Sequence, residues 1–398
     1  MNIHEVVEQA GTPCYVYDAE IIRTQYQKIM AALPQGKTQL YYAMKALSNQ
    51  RILKLMHQLG TGIDAVSLFE IRMALEAGFN PALIIFTPNL VDFFEIETAV
   101  DLGVGINIEN LSNLELFGRR YGPGVPCCIR FNPHIALEGD AANTQGWYEQ
   151  SKFGIEYSQL DSILEIVARY DINIEGLHIH SSHVIMREDI LKRSAQLMLE
   201  AARNFPALKF LDFGGGLNPK ARKVEATDIH AVGQQLEQSL SDFEHETGRK
   251  IQLRFEPGRF LVSEAGTLYV KVTVLKRNRD VIFAGVDSGF NHLIRPMLYG
   301  SIHEIENISN PHGKPLDYNI VGNLCEVDDF AKQIGVSEIR EGDILAIKDT
   351  GAYGFSMSSQ YNSRPRPPEV LINAGPPLLI RKREKYADCM HNQVEIEL

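Results

Sequence analysis

Two structural classes are excluded by what the chain has little of. It holds only five cysteines (Cys14, Cys127, Cys128, Cys325 and Cys389), an odd number with no Cys-x-x-Cys spacing. A disulfide-stapled fold or a cysteine zinc site needs ordered pairs, so neither is expected, and a reducing, cytoplasmic location is. No apolar stretch is long enough to cross a bilayer. Residues 1–10 include Glu5 and Glu8 and lack a basic segment followed by an apolar run, so they do not read as a secretory signal. Basic charge is scarce too. Lys+Arg total 39 against 50 Asp+Glu, a formal net charge of -11, which removes the basic face that a nucleic-acid partner requires. Local basic pockets for small anions stay open.

What is present is material for a large core, 44% hydrophobic residues over 398 positions, enough for two domains. Eight short β-rich runs, at 40–44, 62–67, 83–87, 104–109, 126–132, 174–180, 209–214 and 252–256, alternate with helical patterns. Between them Ile52, Leu55, Met56 and Leu59 recur at helical spacing, as do Ile71, Ala74, Leu75 and Gly78. Eight βα units predict an α/β fold built on a closed (β/α)8 TIM barrel over 25–258, with its chemistry at the carboxyl ends of the strands. Beyond Arg259 the pattern becomes period-two, with Leu268, Val270, Val272 and Val274 alternating with polar residues and further β-rich runs at 280–286, 318–322, 344–347 and 369–372. The run 13–17 reads as a strand as well, so residues 1–24 and 259–398 are expected to form a second, mainly antiparallel, β-barrel-like domain.

Unusual residues gather at the predicted strand ends. Lys45 follows Tyr-Tyr-Ala-Met, where an apolar wall would lower its amine pKa and leave a nucleophile able to form a Schiff base with an aldehyde. Read alone, a lysine ending a strand is more often a solvated surface group. Gly214, Gly215 and Gly216 follow an apolar strand and suit either a tight turn or a backbone cradle for phosphate. The step Glu256-Pro257-Gly258-Arg259 offers a carboxylate that could keep a pyridine ring protonated, or simply a structural ion pair. His178, His180 and His183 raise a metal reading, but no convincing further ligands accompany them, and no metal is expected.

Taken together, Tyr-Ala-Met-Lys-Ala at 42–46, Gly-Leu-His-Ile-His at 176–180, the glycine triplet, Glu-Pro-Gly-Arg at 256–259, Arg-Pro-Met-Leu-Tyr at 295–299, Cys-Glu at 325–326 and the long run from Gly351 to Pro367 resemble one family along nearly the whole chain. It is the group of pyridoxal-phosphate-dependent decarboxylases with an alanine-racemase-like barrel, and within it the diaminopimelate decarboxylases. The resemblance implies that pyridoxal 5'-phosphate forms a Schiff base with Lys45, beside Asp64. It implies that His180 stacks on the ring, Glu256 holds the pyridine nitrogen, and Arg130 approaches the cofactor's edge. Gly214, Gly215, Gly216, Gly258 and Arg259 would surround the phosphate. Arg259, Arg295, Tyr299 and Glu326 match positions that bind substrate carboxylate and amino groups, and Tyr353 one that touches substrate and cofactor. Cys325 matches the proton donor, which enters the site from the second subunit of a head-to-tail homodimer.

The implied reaction is decarboxylation of meso-2,6-diaminopimelate to L-lysine and carbon dioxide. A related decarboxylase for another amino acid, or for a siderophore or antibiotic intermediate, shares the architecture. A regulator that has lost activity is disfavoured because Lys45 and Cys325 are both present. One departure stands out: where most relatives have Ile/Val-Gly-Ser after the stacking histidine, His180 is followed by Ser181, Ser182 and His183.

Overall fold

In the computed structural model, residues 3–133, 151–180, 188–219, 227–327 and 329–396 are described. The chain divides into two compact units, Tyr26–Gly258 and Met1–Gln25 with Arg259–Leu398. After the N-terminal strand β1 (Cys14–Asp18), the first unit contributes β2 (Thr38–Ala43), β3 (Gly62–Ala65), β4 (Ile84–Phe86), β5 (Gly105–Ile108), β6 (Cys127–Asn132), β7 (Ile155–Glu156), β8 (Ile174–Ile179), β9 (Phe210–Asp212) and β10 (Gln252–Phe255). All of these strands but β7 form a parallel barrel in the order β5-β4-β3-β2-β10-β9-β8-β6, closed by the pairing of β5 with β6, with β7 added beside β6.

These strands are largely buried on both sides and mostly apolar: Leu40, Tyr41, Tyr42 and Ala43 of β2 are all buried, and the polar exceptions include Asp64, Arg130, His178 and Asp212. The helices supply the outer layer. Helix Gln50–Gln58 turns Ile52, Leu53, Leu55 and Met56 inward, and the Asn49 side chain caps its start by accepting the Arg51 N–H. Helix Leu68–Ala77 is capped by Ser67 and stops at Gly78, whose φ of 101° suits glycine. The barrel also depends on one close helix approach. A Cβ at Gly233, in helix Ile229–Thr247, would lie 1.8 Å from the Ala32 carbonyl oxygen, so only glycine fits there.

The second unit holds β1 together with β11 (Gly266–Asn278), β12 (Val281–Val286), β13 (Ile305–Asn307), β14 (Pro315–Val321), β15 (Asp329–Ser337), β16 (Ile344–Ile347), β17 (Glu369–Ile372) and β18 (Leu378–Arg381). Its path runs β15-β14-β12-β11-β1-β17-β18, with β16 pairing both β11 and β13. Most pairings are antiparallel, while β1 with β17 and β12 with β14 run parallel, so the sheet is mixed. The N-terminal strand is thus built into the sheet of the C-terminal half. Glu369 is sealed inside this unit, where it accepts the Tyr17 hydroxyl at 2.8 Å and pairs with Arg381.

Replacing Gly233 with alanine pushes helix Ile229–Thr247 away from the Ala32 backbone and is expected to lower the unfolding free energy by about 1–3 kcal/mol, as overpacking does elsewhere. Urea unfolding of the two proteins measures this, and an unchanged midpoint and slope would contradict the close approach.

Candidate active site

The parallel register sets the barrel mouth. Ala43 of β2 pairs with Asp64 of β3, so Lys45, in the short turn Met44–Ala46 that follows β2, reaches the Asp64 carboxylate as an ion pair. Asp64 is fully buried, whereas the Lys45 side chain keeps 35% of its exposure and opens toward the mouth. Burial, followed by the negative charge of Glu256, raises the Asp64 pKa, while Lys45 opposes the shift.

Glu256 leaves the end of β10, adjacent to β2 in the barrel. One of its oxygens, Oε2, lies 3.1 Å from His178 Nε2, and the other, Oε1, is buried with no hydrogen-bond partner among the described residues. His178, on β8, is held neutral, since burial and then the Arg130 charge push its pKa well below the usual value. A neutral ring in this position donates its Nε2–H to the Glu256 carboxylate. Burial raises the Glu256 pKa, and Lys45, Arg130 and Arg254 pull it back. Arg130 is itself buried on β6, its guanidinium carbon 4.9 Å from the Phe153 ring centre and its Nη1 3.4 Å from Asn89 Oδ1.

The glycine triplet packs against the base of this group. Gly215 donates its N–H to His180 Nδ1 at 2.9 Å, which fixes that imidazole, and Gly214 donates to Asp212 Oδ1 at 2.8 Å. Added side chains do not fit: a Cβ on Gly214 would come within 2.6 Å of His180 Nδ1, and one on Gly215 within 2.9 Å of the Glu256 carbonyl oxygen. Gly214 and Gly216 also adopt positive φ, 63° and 92°. The expectation that the triplet offers its N–H groups to an anion is thereby narrowed. Two of the three amides are already used inside the barrel, and the triplet's first contribution is clearance. Gly258 is crowded in the same way, 3.1 Å from the Ala43 carbonyl oxygen for an added Cβ.

A second group lies within the other unit. Arg259 and Arg295 both approach the Tyr353 ring, at 5.8 and 5.5 Å, and Arg295 also lies 5.2 Å from the Tyr299 ring. Neither guanidinium makes an ion pair among the described residues. Burial and the neighbouring Arg259 charge push Arg295 down to about 10. Two like charges held against aromatic faces without a carboxylate are prepared for an anion. Tyr353 has a φ of 58°, a strained value for a tyrosine. His303 is buried in this unit and donates from Nδ1 to the Lys348 carbonyl at 2.8 Å. Burial pushes its pKa down to about 4, with Arg295 and Arg259 acting in the same direction.

Cys325 and Glu326 are carried on an exposed loop. The Cys325 N–H is held by Asn362 Oδ1 at 2.8 Å, the Glu326 carboxylate accepts the Val327 N–H at 2.9 Å, and Arg364 donates to the Asn323 carbonyl at 3.1 Å. The structure therefore assembles the expected residues as a barrel-mouth group (Lys45, Asp64, Arg130, His180, Gly214–Gly216, Glu256, Gly258), an arginine-tyrosine group (Arg259, Arg295, Tyr299, Tyr353) and an acid loop. Ser181, Ser182 and His183 lie outside the described residues. The strand pair His178 and His180 divides, one ring serving Glu256 and the other the glycine loop. Sequence reasoning passed over Asp212, although an acid inside the apolar run Phe210 to Phe213 is itself a signal, and it passed over Phe153, which nothing local marks.

A parallel barrel with a lysine at the end of its first strand, a buried acid at the end of the neighbouring strand and a glycine loop defines a site built for an aldehyde cofactor with a basic ring. The family profile described as pyridoxal-dependent decarboxylase, pyridoxal binding domain, matches residues 19–263. The diaminopimelate decarboxylase of Methanothermobacter thermautotrophicus is 37% identical across 98% of this chain and 93% of its own, and that of Escherichia coli K12 is 35% identical across 98% and 95%. A crystal structure of the Helicobacter pylori diaminopimelate decarboxylase complexed with L-lysine superposes with a TM-score of 0.88 at 30% identity, covering 98% of each chain. The chain belongs to the pyridoxal-dependent decarboxylases, and among them to the diaminopimelate decarboxylase family.

The His303 pKa gives a stability test with a definite sign. Folded, the ring titrates at about 4, against 6.5 as its ordinary value. Between those values the unfolded chain binds more protons, so this contribution to stability is complete above about pH 6.5 and is lost as the pH falls toward 4. His303→Gln is expected to flatten the slope of unfolding free energy against pH in that window by about one proton. Denaturant titrations across the window read the slope, and an unaltered slope would contradict a neutral buried ring.

Proposed function

We propose that this protein converts meso-2,6-diaminopimelate to L-lysine and carbon dioxide with pyridoxal 5'-phosphate bound at Lys45. The observation that carries the reading is Glu256 Oε1, which has no hydrogen-bond partner among the described residues and is buried in the mouth that Lys45 also faces. The cofactor fits these residues: a protonated ring nitrogen supplies the donor that Oε1 lacks, and the glycine loop leaves room where any Cβ would clash. When bound, it supplies an electron sink for the bond pair left at the α-carbon by the departing carboxylate.

The chain's own groups divide the remaining work. Lys45 would hold the cofactor through its amine, which Asp64 keeps aligned. Glu256 would face the ring nitrogen and keep it protonated, His180 would stack on the ring, and Arg130 would approach the cofactor's edge. Gly214–Gly216 and Gly258 would border the phosphate, a role the family resemblance also gives to Arg259. Diaminopimelate carries a second amino-acid centre far from the bond that breaks, and it requires binding groups of both signs. Arg259 and Arg295 suit its distal carboxylate, with Tyr299 and Tyr353 lining the approach, and Glu326 suits its distal ammonium. Cys325 then delivers a proton to the α-carbon.

This assignment includes a homodimer whose sites take Cys325 and Glu326 from the second copy. Its support is the exposure of this loop together with exposed apolar side chains in the same unit, Val327 at 68%, Leu298 at 51% and Met297 at 50%. A cytoplasmic location belongs to the same proposal. It is supported by five free cysteines, and no helix among the described residues is long and apolar enough to cross a membrane.

Purified protein supplied with the cofactor and meso-diaminopimelate is expected to release lysine and carbon dioxide in equal amounts. Turnover of another amino acid in place of diaminopimelate would move the assignment to a related decarboxylase. Arg295→Lys keeps the charge and loses the planar fork, so KM should rise about tenfold or more with a smaller change in kcat. For the shared site, Lys45→Ala and Cys325→Ala are each expected to be nearly inactive alone. Their mixture, after subunit exchange, should recover up to about a quarter of the parent activity, since half the dimers then hold one intact site. No recovery in exchanged mixtures would contradict sharing.

A further inference from the structure

The buried cluster behind the ring-nitrogen position contains one group that the proposed reaction leaves without a task. Asp212, the last residue of β9, is wholly buried. Its Oδ1 accepts the Gly214 N–H at 2.8 Å, and its Oδ2 has no hydrogen-bond partner among the described residues. Glu256 shows the matching pattern, with Oε2 on His178 and Oε1 unpartnered. One polar atom from each of His178, Asp212 and Glu256 lies within 4.8 Å of the other two. The other ionisable groups acting with Asp212 are Arg254 on β10, Asp64 on β3, Arg130 and Cys128 on β6, and Tyr41 on β2.

Two sealed carboxylates this close cannot both ionise cheaply, so the cluster retains a proton. Burial and then the Glu256 charge push Asp212 well above the carboxylate range, whereas three cations restrain the corresponding shift in Glu256. Glu256 has the His178 donor and the facing Lys45 and Arg130 charges to support ionisation, whereas Asp212 has only the Gly214 N–H and, among the described residues, an unpartnered Oδ2; that difference in partners favours the proton on Asp212.

We propose that Asp212 is a positioning residue for the cofactor: as a neutral acid it supports the ionised Glu256, and through Gly214 it fixes the glycine loop. The inference rests on the pyridoxal-dependent reading above. It links the two ends of the cofactor site, ring nitrogen and phosphate, through one side chain. It also accounts for the histidine and two acids without a metal ion. A carboxamide has the same shape as a protonated carboxyl, is neutral, accepts from Gly214 and donates toward Glu256. Asp212→Asn should then substitute for the native group, and Asp212→Ala should not.

The test measures the dissociation constant for pyridoxal 5'-phosphate and the visible absorbance of the bound cofactor between about pH 5 and pH 9. Asp212→Asn is expected to bind within about threefold of the parent with the same absorbance profile, and Asp212→Ala at least about tenfold more weakly with a displaced profile. If the alanine variant does not fold, Asp212→Ser, which cannot span the same gap, takes its place with the same expectation. Asparagine binding as poorly as alanine would overturn the proposal, because it would show that an anion or a metal ligand is required at this position. So would an alanine variant indistinguishable from the parent. A parent that binds no cofactor overturns the functional reading as well, which separates that failure from this one.

Discussion

Asp64, Asp212 and Glu256 are buried together at the mouth of the barrel, and the rest of the site follows from the need to balance them. An isolated ionised carboxylate in such surroundings is strongly disfavoured, and each one is tolerated only with a cation, a hydrogen-bond donor or a proton of its own. Lys45 answers Asp64 directly. Lys45, Arg130 and Arg254 together restrain the rise in the Glu256 pKa, and His178 donates to its Oε2. Lys45 is thus held where its amine faces the mouth, and the remaining oxygen of Glu256 is left available to a protonated ring. In the proposed reaction an acid must keep a pyridine nitrogen charged inside a barrel, and the cations around Glu256 oppose the rise that burial imposes on its pKa.

The second unit solves the complementary problem. Arg259 and Arg295 stand against Tyr353 and Tyr299 with no ion-paired carboxylate among the described residues, and burial, followed by the Arg259 charge, lowers the Arg295 pKa. Aromatic faces offset part of that cost, and a bound anion relieves the rest. His303, neutral and buried, adds no further positive charge to the pair. The Cys325-Glu326 loop is fixed by its backbone, through Asn362 and Arg364. Its side chains remain exposed, as those of a loop completing another copy's site would be.

Much of this was legible in the sequence because period and position carry it. The eight apolar runs fall on the barrel strands, and the step from the run at 252–256 to the alternation after Arg259 marks where one kind of strand gives way to another. Lys45 and Glu256 could be placed at strand ends, but only the barrel's closure, with β10 beside β2, shows that they share one mouth. The glycine triplet was legible as a close approach and not in its bonding, since the groups that take two of its amides, Asp212 and His180, are fixed by neighbouring strands. Asp212 escaped notice for a related reason: an acid within an apolar strand declares burial but not its partner. Tyr353's left-handed backbone and the convergence of Arg259 with Arg295 are tertiary facts with no local pattern.

The central claim is that Lys45, held by Asp64 in the barrel mouth, is the residue that carries the cofactor. Reduction of the pyridoxal-phosphate-loaded protein with borohydride, followed by peptide mapping, tests it directly. The account predicts loss of the visible absorbance and a single phosphopyridoxyl adduct on the peptide containing Lys45. An adduct on any other lysine, or none on a protein that has bound the cofactor, would contradict it.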